Sequence, residues 1–144
     1  MAKPLYKIIV FPLSDTKNGT LAMFQTAGAA SKKIPFPIRK VLATTGIKGK
    51  DRRGAHAHFK TKQFLIAVTG GCTVLLDDGK RKASVKLTGQ NVGLLLYPLV
   101  WHDMRDFKPN TTLLVIADRP YDEKRDYIRD YAQFLKVAQK QKRI

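Results

Sequence analysis

From about Leu5 to Ala117 the chain is cut into short apolar stretches, separated by turn-forming residues roughly every ten positions, and this rhythm limits the fold more than any other feature. Such spacing predicts an antiparallel sandwich or barrel, and helical periodicity is absent from the region. The clearest strand is Lys82 to Leu87, where Ala83, Val85 and Leu87 alternate with Lys82, Ser84 and Lys86, so one face is apolar and the other wet. Ahead of it, Phe64 to Thr69, Gly70-Gly71 and Cys72 to Leu76 read as two strands around a glycine turn. Asp77-Asp78-Gly79 makes the next reversal, which predicts a three-stranded meander. Further strands are expected at Gly93 to Tyr97, Trp101 to Phe107 and Thr111 to Ile116. A closed or double-sheet jelly roll suits this even spacing, because closure hides strand edges.

After Pro120 the period changes. Tyr127, Ile128, Tyr131, Phe134, Leu135 and Val137 recur at three-and-four spacing, which predicts an amphipathic helix over about residues 123–139. The Lys/Arg-rich stretch at 140–143 suits the negative end of a helix dipole and needs no further function. The small-residue run at 26–31 reads as a turn segment. With 144 residues, 44% of them hydrophobic, the chain fits one core rather than two, so a single domain over 1–144 is expected, with its barrel at about 5–117.

The formal charge of +16 draws anions by a long-range, salt-screened field, which favours a nucleotide, nucleic acid or acidic membrane as partner. Nucleic acid is disfavoured, since no strand interleaves exposed aromatics with Lys or Arg as stacking platforms require. No apolar stretch approaches the length of a membrane span, and the early apolar run is broken by Pro12. Cys72 is the single cysteine, so no intrachain disulfide forms, and a cytoplasmic protein without a membrane partner is the expectation.

Two of the three histidines sit in Arg52-Arg53-Gly54-Ala55-His56-Ala57-His58. At i and i+2 on a strand, both imidazoles project from one face, flanked by small residues. Paired imidazoles on an inner barrel face are poor core packing, because each buries nitrogens that need partners, so a functional pair is the better reading. Gln63 follows five residues on, and His102 lies at the end of Tyr97-Pro98-Leu99-Val100-Trp101-His102, from where a barrel brings it to the same site.

The order Gly54, His56, His58, Gln63, Gly70, Pro98, His102 resembles the two cupin motifs, with glutamine at the place where metal-binding cupins carry glutamate. Together with Arg53, Asp77-Asp78-Gly79, Trp101, Met104, Tyr121-Asp122-Glu123 and the run Asp126 to Tyr131, the pattern is similar to the sugar 3,4-ketoisomerase cupins over roughly Lys33 to Leu135. That resemblance implies an all-β fold, a cupin-type jelly-roll barrel with a C-terminal α-helix. It further implies a homodimer and a metal-free, cofactor-free enzyme that turns a dTDP-linked 4-keto-6-deoxyhexose into its 3-keto isomer. On this reading His56 is the catalytic base and His58 its partner, with the two roles interchangeable on spacing alone. Arg53 meets the pyrophosphate through paired charge-assisted hydrogen bonds. Lys60 adds a point charge, Tyr97 and Trp101 flank the thymine or sugar ring, Gln63 bonds a substrate hydroxyl or carbonyl, and His102 binds substrate or relays a proton. Two other readings stay open: a metal-dependent cupin using His56, His58, Gln63 and His102, and a sugar-nucleotide-binding module without turnover.

Overall fold

The computed structural model describes residues 3–29 and 32–141; the ends of the 26–31 segment and of the basic tail fall outside them. Among the described residues, twelve strands and two helices follow in the order β1 (Tyr6–Val10), β2 (Leu13–Thr16), β3 (Gly19–Ala22), β4 (Lys40–Thr44), β5 (Arg53–His58), β6 (Gln63–Thr69) and β7 (Gly71–Asp77). There follow β8 (Lys82–Thr88), β9 (Val92–Leu96), β10 (Trp101–Arg105), β11 (Thr112–Ala117), α1 (Glu123–Asp126), β12 (Tyr127–Ile128) and α2 (Tyr131–Gln141).

Two five-stranded antiparallel sheets form, ordered β1-β9-β6-β11-β4 and β12-β5-β10-β7-β8, while β2 and β3 make a separate hairpin. The expected Lys82–Leu87 alternation appears as exposed Lys82, Ser84 and Lys86 against buried Val85 and Leu87. Between the sheets lies a core in which Leu65, Leu94, Leu96 and Leu113 of the first meet Val74, Leu76, Val85, Leu87 and Met104 of the second. Each such fully buried aliphatic contributes about 1.5–3 kcal/mol. The outer face of the first sheet is covered by Phe11, Ile34 and Phe36, which pack on Phe64, Ile66, Leu95 and Ile116. Gly93 lets this layer close: a Cβ there would stand 1.7 Å from Phe64 Cζ. The architecture is the all-β, cupin-type double sheet expected.

The meander is a correction. Of its three strands, β7 and β8 form a hairpin, whereas β6 pairs with β11 and β9, so the Gly70 link carries the chain from one sheet to the other. The local glycine turn is real, but the partners of β6 are set by long-range packing of its apolar faces. A second correction concerns the helix expected over 123–139, which is broken at Tyr127 and Ile128. These two residues are extended and pair antiparallel with His58 and Ala57. Ile128 then shares a buried cluster with Ala57, Leu99 and Phe134 of α2, so the helical spacing of the apolar residues is met by a strand and a helix packing on one surface.

Candidate active site

Strand β5 enters the site through a kink. Gly54 and Ala55 both have positive φ, +86° and +56°, and the register against β10 shifts beside them, between His102 and Asp103. A side chain at Gly54 would meet the His102 carbonyl at 3.0 Å as well as adopting a conformation L residues avoid, so glycine is required there. Beyond the kink, His56 pairs directly with His102 across the two strands, which puts both rings on the same face.

The three imidazoles converge. Ring centroids lie 4.9 Å apart for His56 and His58, 4.5 Å for His56 and His102, and 5.8 Å for His58 and His102. Asp126, at the end of α1, reaches behind them: its Oδ2 lies 2.8 Å from His58 Nδ1 and also accepts the Thr61 hydroxyl, while Oδ1 accepts the Lys60 amide at 2.9 Å. Burial favours the neutral acid at Asp126, but the bonds from Thr61, Lys60 and His58 outweigh it and hold the carboxyl below its ordinary value. An ionised carboxylate only accepts, so His58 Nδ1 carries the hydrogen and the opposite nitrogen, Nε2, holds a lone pair. That Nε2 is buried and without a partner among the described residues. His102 is fixed similarly, with Nδ1 donating to the Val100 carbonyl at 3.2 Å.

All three rings are held neutral. Burial, then the neighbouring His58, lowers His56 to about 4, and the nearby Gly54 carbonyl, outside hydrogen-bonding geometry, opposes this only in part. Burial also lowers His58, against the upward pull of Asp126, and lowers His102 furthest. Tyr127 closes the cluster with its ring 4.4 Å from His58 and 5.0 Å from His56, and burial raises its phenol, which stays protonated.

The structure sorts the residues expected here. His56, His58 and His102 come together. Gln63 is buried on the inner face of the opposite sheet, in register with Leu96, and its side chain makes no hydrogen bond among the described residues. Arg53 is exposed at the start of β5, opposite Met104, without an ion pair among the described residues. Lys60 is exposed and serves the site through its backbone amide. Tyr97 is half-buried between two core clusters. Trp101 does not join the imidazoles: strand alternation turns it to the face opposite His102, where it packs on Tyr131 and Phe134 at 5.2 and 5.6 Å and lines an outer groove of about 590 Å³. Asp126, Thr61 and Tyr127 were not expected at the site; the signal for Asp126 and Tyr127 lay in the run Asp126 to Tyr131, which helical spacing disguised.

The donor set also permits a cation, since one nitrogen from each imidazole lies within 4.8 Å of the others. Against this, no carboxylate joins the three among the described residues, Asp126 being spent on His58 Nδ1.

Neutral imidazoles that accept and return protons, one aimed by a carboxylate, inside a double-sheet barrel define a cupin of the acid–base type. Residues 5–139 match the family model described as FdtA: WxcM-like, C-terminal. A curated relative, TDP-4-oxo-6-deoxy-alpha-D-glucose-3,4-oxoisomerase of Aneurinibacillus thermoaerophilus, is 39% identical over 134 residues, 93% of each chain. Among solved structures, a 3,4-ketoisomerase from Helicobacter canadensis superposes with a TM-score of 0.85 at 36% identity, covering 93% of this chain and 97% of that one. A histidine-to-asparagine mutant of the 3,4-ketoisomerase QdtA from Thermoanaerobacterium thermosaccharolyticum, in complex with TDP-4-keto-6-deoxyglucose, gives 0.87 at 33% identity and 96% of both chains. The chain belongs to the FdtA family and is a sugar 3,4-ketoisomerase.

Proposed function

We propose that this chain, working as a single domain in a cytoplasmic homodimer, converts a dTDP-linked 4-keto-6-deoxyhexose into its 3-keto isomer with His58 as the base. The observation that carries the assignment is the His58–Asp126 pair, which leaves Nε2 as the buried lone pair; this exchanges the roles expected for His56 and His58. His58 Nε2 takes the proton from C3, the C3–C4 double bond forms, and the carbonyl electrons move onto O4. As C3 becomes the carbonyl, the O3 proton passes to O4, and C4 takes a proton from the His58 imidazolium after that group has exchanged with water. Charge appears on Asp126's partner and on the enediolate only in passing, which is where a fixed carboxylate and nearby donors lower the barrier.

His56 and His102, neutral and beside His58, hold the sugar oxygens. The free amide of Gln63 bonds a hydroxyl or the ketone from the opposite wall. Arg53, Lys60 and Tyr97 lie outside the imidazole cluster, and the nucleotide is the part of the substrate for which Arg53 and Lys60 provide charge and Tyr97 an aromatic face. The TDP-4-keto-6-deoxyglucose held by the related enzyme supports this substrate class.

The test is to incubate EDTA-treated protein with dTDP-4-keto-6-deoxyglucose in deuterium oxide and follow the ring by proton NMR. A 3-keto product with deuterium at C4 is expected. Activity lost to EDTA and restored by a divalent cation would instead assign the three imidazoles to a metal, and tight binding without any exchange would leave a sugar-nucleotide-binding module.

A further inference from the structure

We propose that Lys40 is a catalytic residue of this isomerisation, its ammonium stabilising the oxyanion of the enediolate. The inference rests on the reaction proposed above. Lys40 opens β4 and pairs with Ala117, which pairs with Gln63, which pairs with Leu96. Directly paired residues show their side chains on one face, and Leu96 faces the core between the sheets, so Lys40 stands in an inward row across from the histidine strand. Its ammonium is gripped by two aromatic rings, 5.5 Å from the Tyr121 centroid and 5.9 Å from that of Tyr127, the ring that packs on His58 and His56. Tyr121 is itself fixed, its hydroxyl donating to Glu123 at 2.7 Å.

Charge accounting makes this position consequential. When the C3–H bond breaks, its proton goes to His58 and the carbonyl pair settles on O4, so an imidazolium and an oxyanion arise together, while His56 and His102 stay neutral. The imidazolium's N–H must be aimed at ring carbon, first C3 and then C4, so O4 needs a donor of its own. Arg129 lies nearby, 4.6 Å over Tyr127, but its Nε and Nη2 both donate to Glu123 at 2.7 Å, so its charge is already paired. The Lys40 ammonium has no such partner: among the described residues it makes no hydrogen bond or ion pair, and burial lowers its pKa, against the attraction of Asp126. A partly desolvated, aromatic-held ammonium costs little reorganisation when the charge develops.

Lys40→Met is expected to lower kcat on the order of 10²-fold, in line with losing one oxyanion donor, with KM changed less than about threefold and deuterium incorporation slowed in parallel with product formation. Lys40→Arg should recover much of the rate. The strand is at a sheet edge and the side chain half-exposed, so thermal unfolding should match the wild type and exclude misfolding as the cause. A raised KM at unchanged kcat would place Lys40 on ground-state phosphate and overturn the proposal, as would wild-type kcat in Lys40→Met. Wild-type protein that fails to isomerise the substrate would instead overturn the function on which the proposal rests.

Discussion

The Nδ1 of His58 lies 2.8 Å from Oδ2 of Asp126, across 68 residues of sequence, and this contact decides which nitrogen of the imidazole faces the cavity. Thr61 and the Lys60 amide bond the same carboxylate, so it is held ionised and in place before any substrate arrives.

Asp126→Asn keeps the shape but lets the amide donate to Nδ1, which turns the tautomer and removes the Nε2 lone pair. We expect kcat to fall by about 10²-fold or more with little change in KM, since the lost interaction strengthens as the imidazolium forms. Steady-state kinetics by NMR checks this, and a rate within a few-fold of wild type would detach Asp126 from the chemistry.

His58→Ala should abolish both product formation and deuterium exchange while dTDP still binds with near wild-type affinity by calorimetry. In His56→Ala, which retains the base, exchange should be slowed but measurable. Exchange that survives in His58→Ala and vanishes in His56→Ala would return the base to His56.

Stability should fall on mild acidification. The three imidazoles have folded pKa values below the ordinary 6.5, His56 at about 4, so below pH 6.5 the unfolded chain binds protons that the folded chain refuses. Each such group therefore destabilises the fold by up to about 1.4 kcal/mol per pH unit between its unfolded and folded pKa. Urea unfolding at pH 7 and pH 5 measures the loss; equal midpoints would mean the rings are charged in the native protein. By the same shifts kcat/KM should stay level from pH 8 to 6.5 and decline only below.

Gly93→Ala should destabilise the fold by roughly 3 kcal/mol, the upper range for forcing a methyl into packed space, because the Phe64 ring fills the position a Cβ would take. Denaturant titration reads this, and a loss under about 1 kcal/mol would show that Phe64 moves aside freely.

Strand positions and the imidazole cluster were legible in the sequence because both follow from a period of two: Val85 and Leu87 alternate with lysines, and His56 and His58 share a face. Sheet membership was not, since the turn at Gly70 is compatible with a hairpin and only the partners of Phe64 and Ile66, far off in the chain, exclude one. Trp101 beside His102 looked like part of the site until alternation was applied to their strand. Asp126 and Tyr127 were concealed because Ile128 and Phe134 keep helical spacing while lying on a strand and a helix. Lys40 was invisible for a compositional reason: with 27 lysines and arginines, nothing marks the one whose register turns it inward.

The strand pair β5 and β10 brings the imidazoles together, yet the carboxylate that orients His58 arrives with the segment between the barrel and the final helix. During synthesis the catalytic centre is therefore completed only after the barrel strands have been made. A ribosome-bound barrel that has not yet released residue 126 would carry its histidines unaimed, and a nascent chain would be silent toward its substrate until the closing segment had docked.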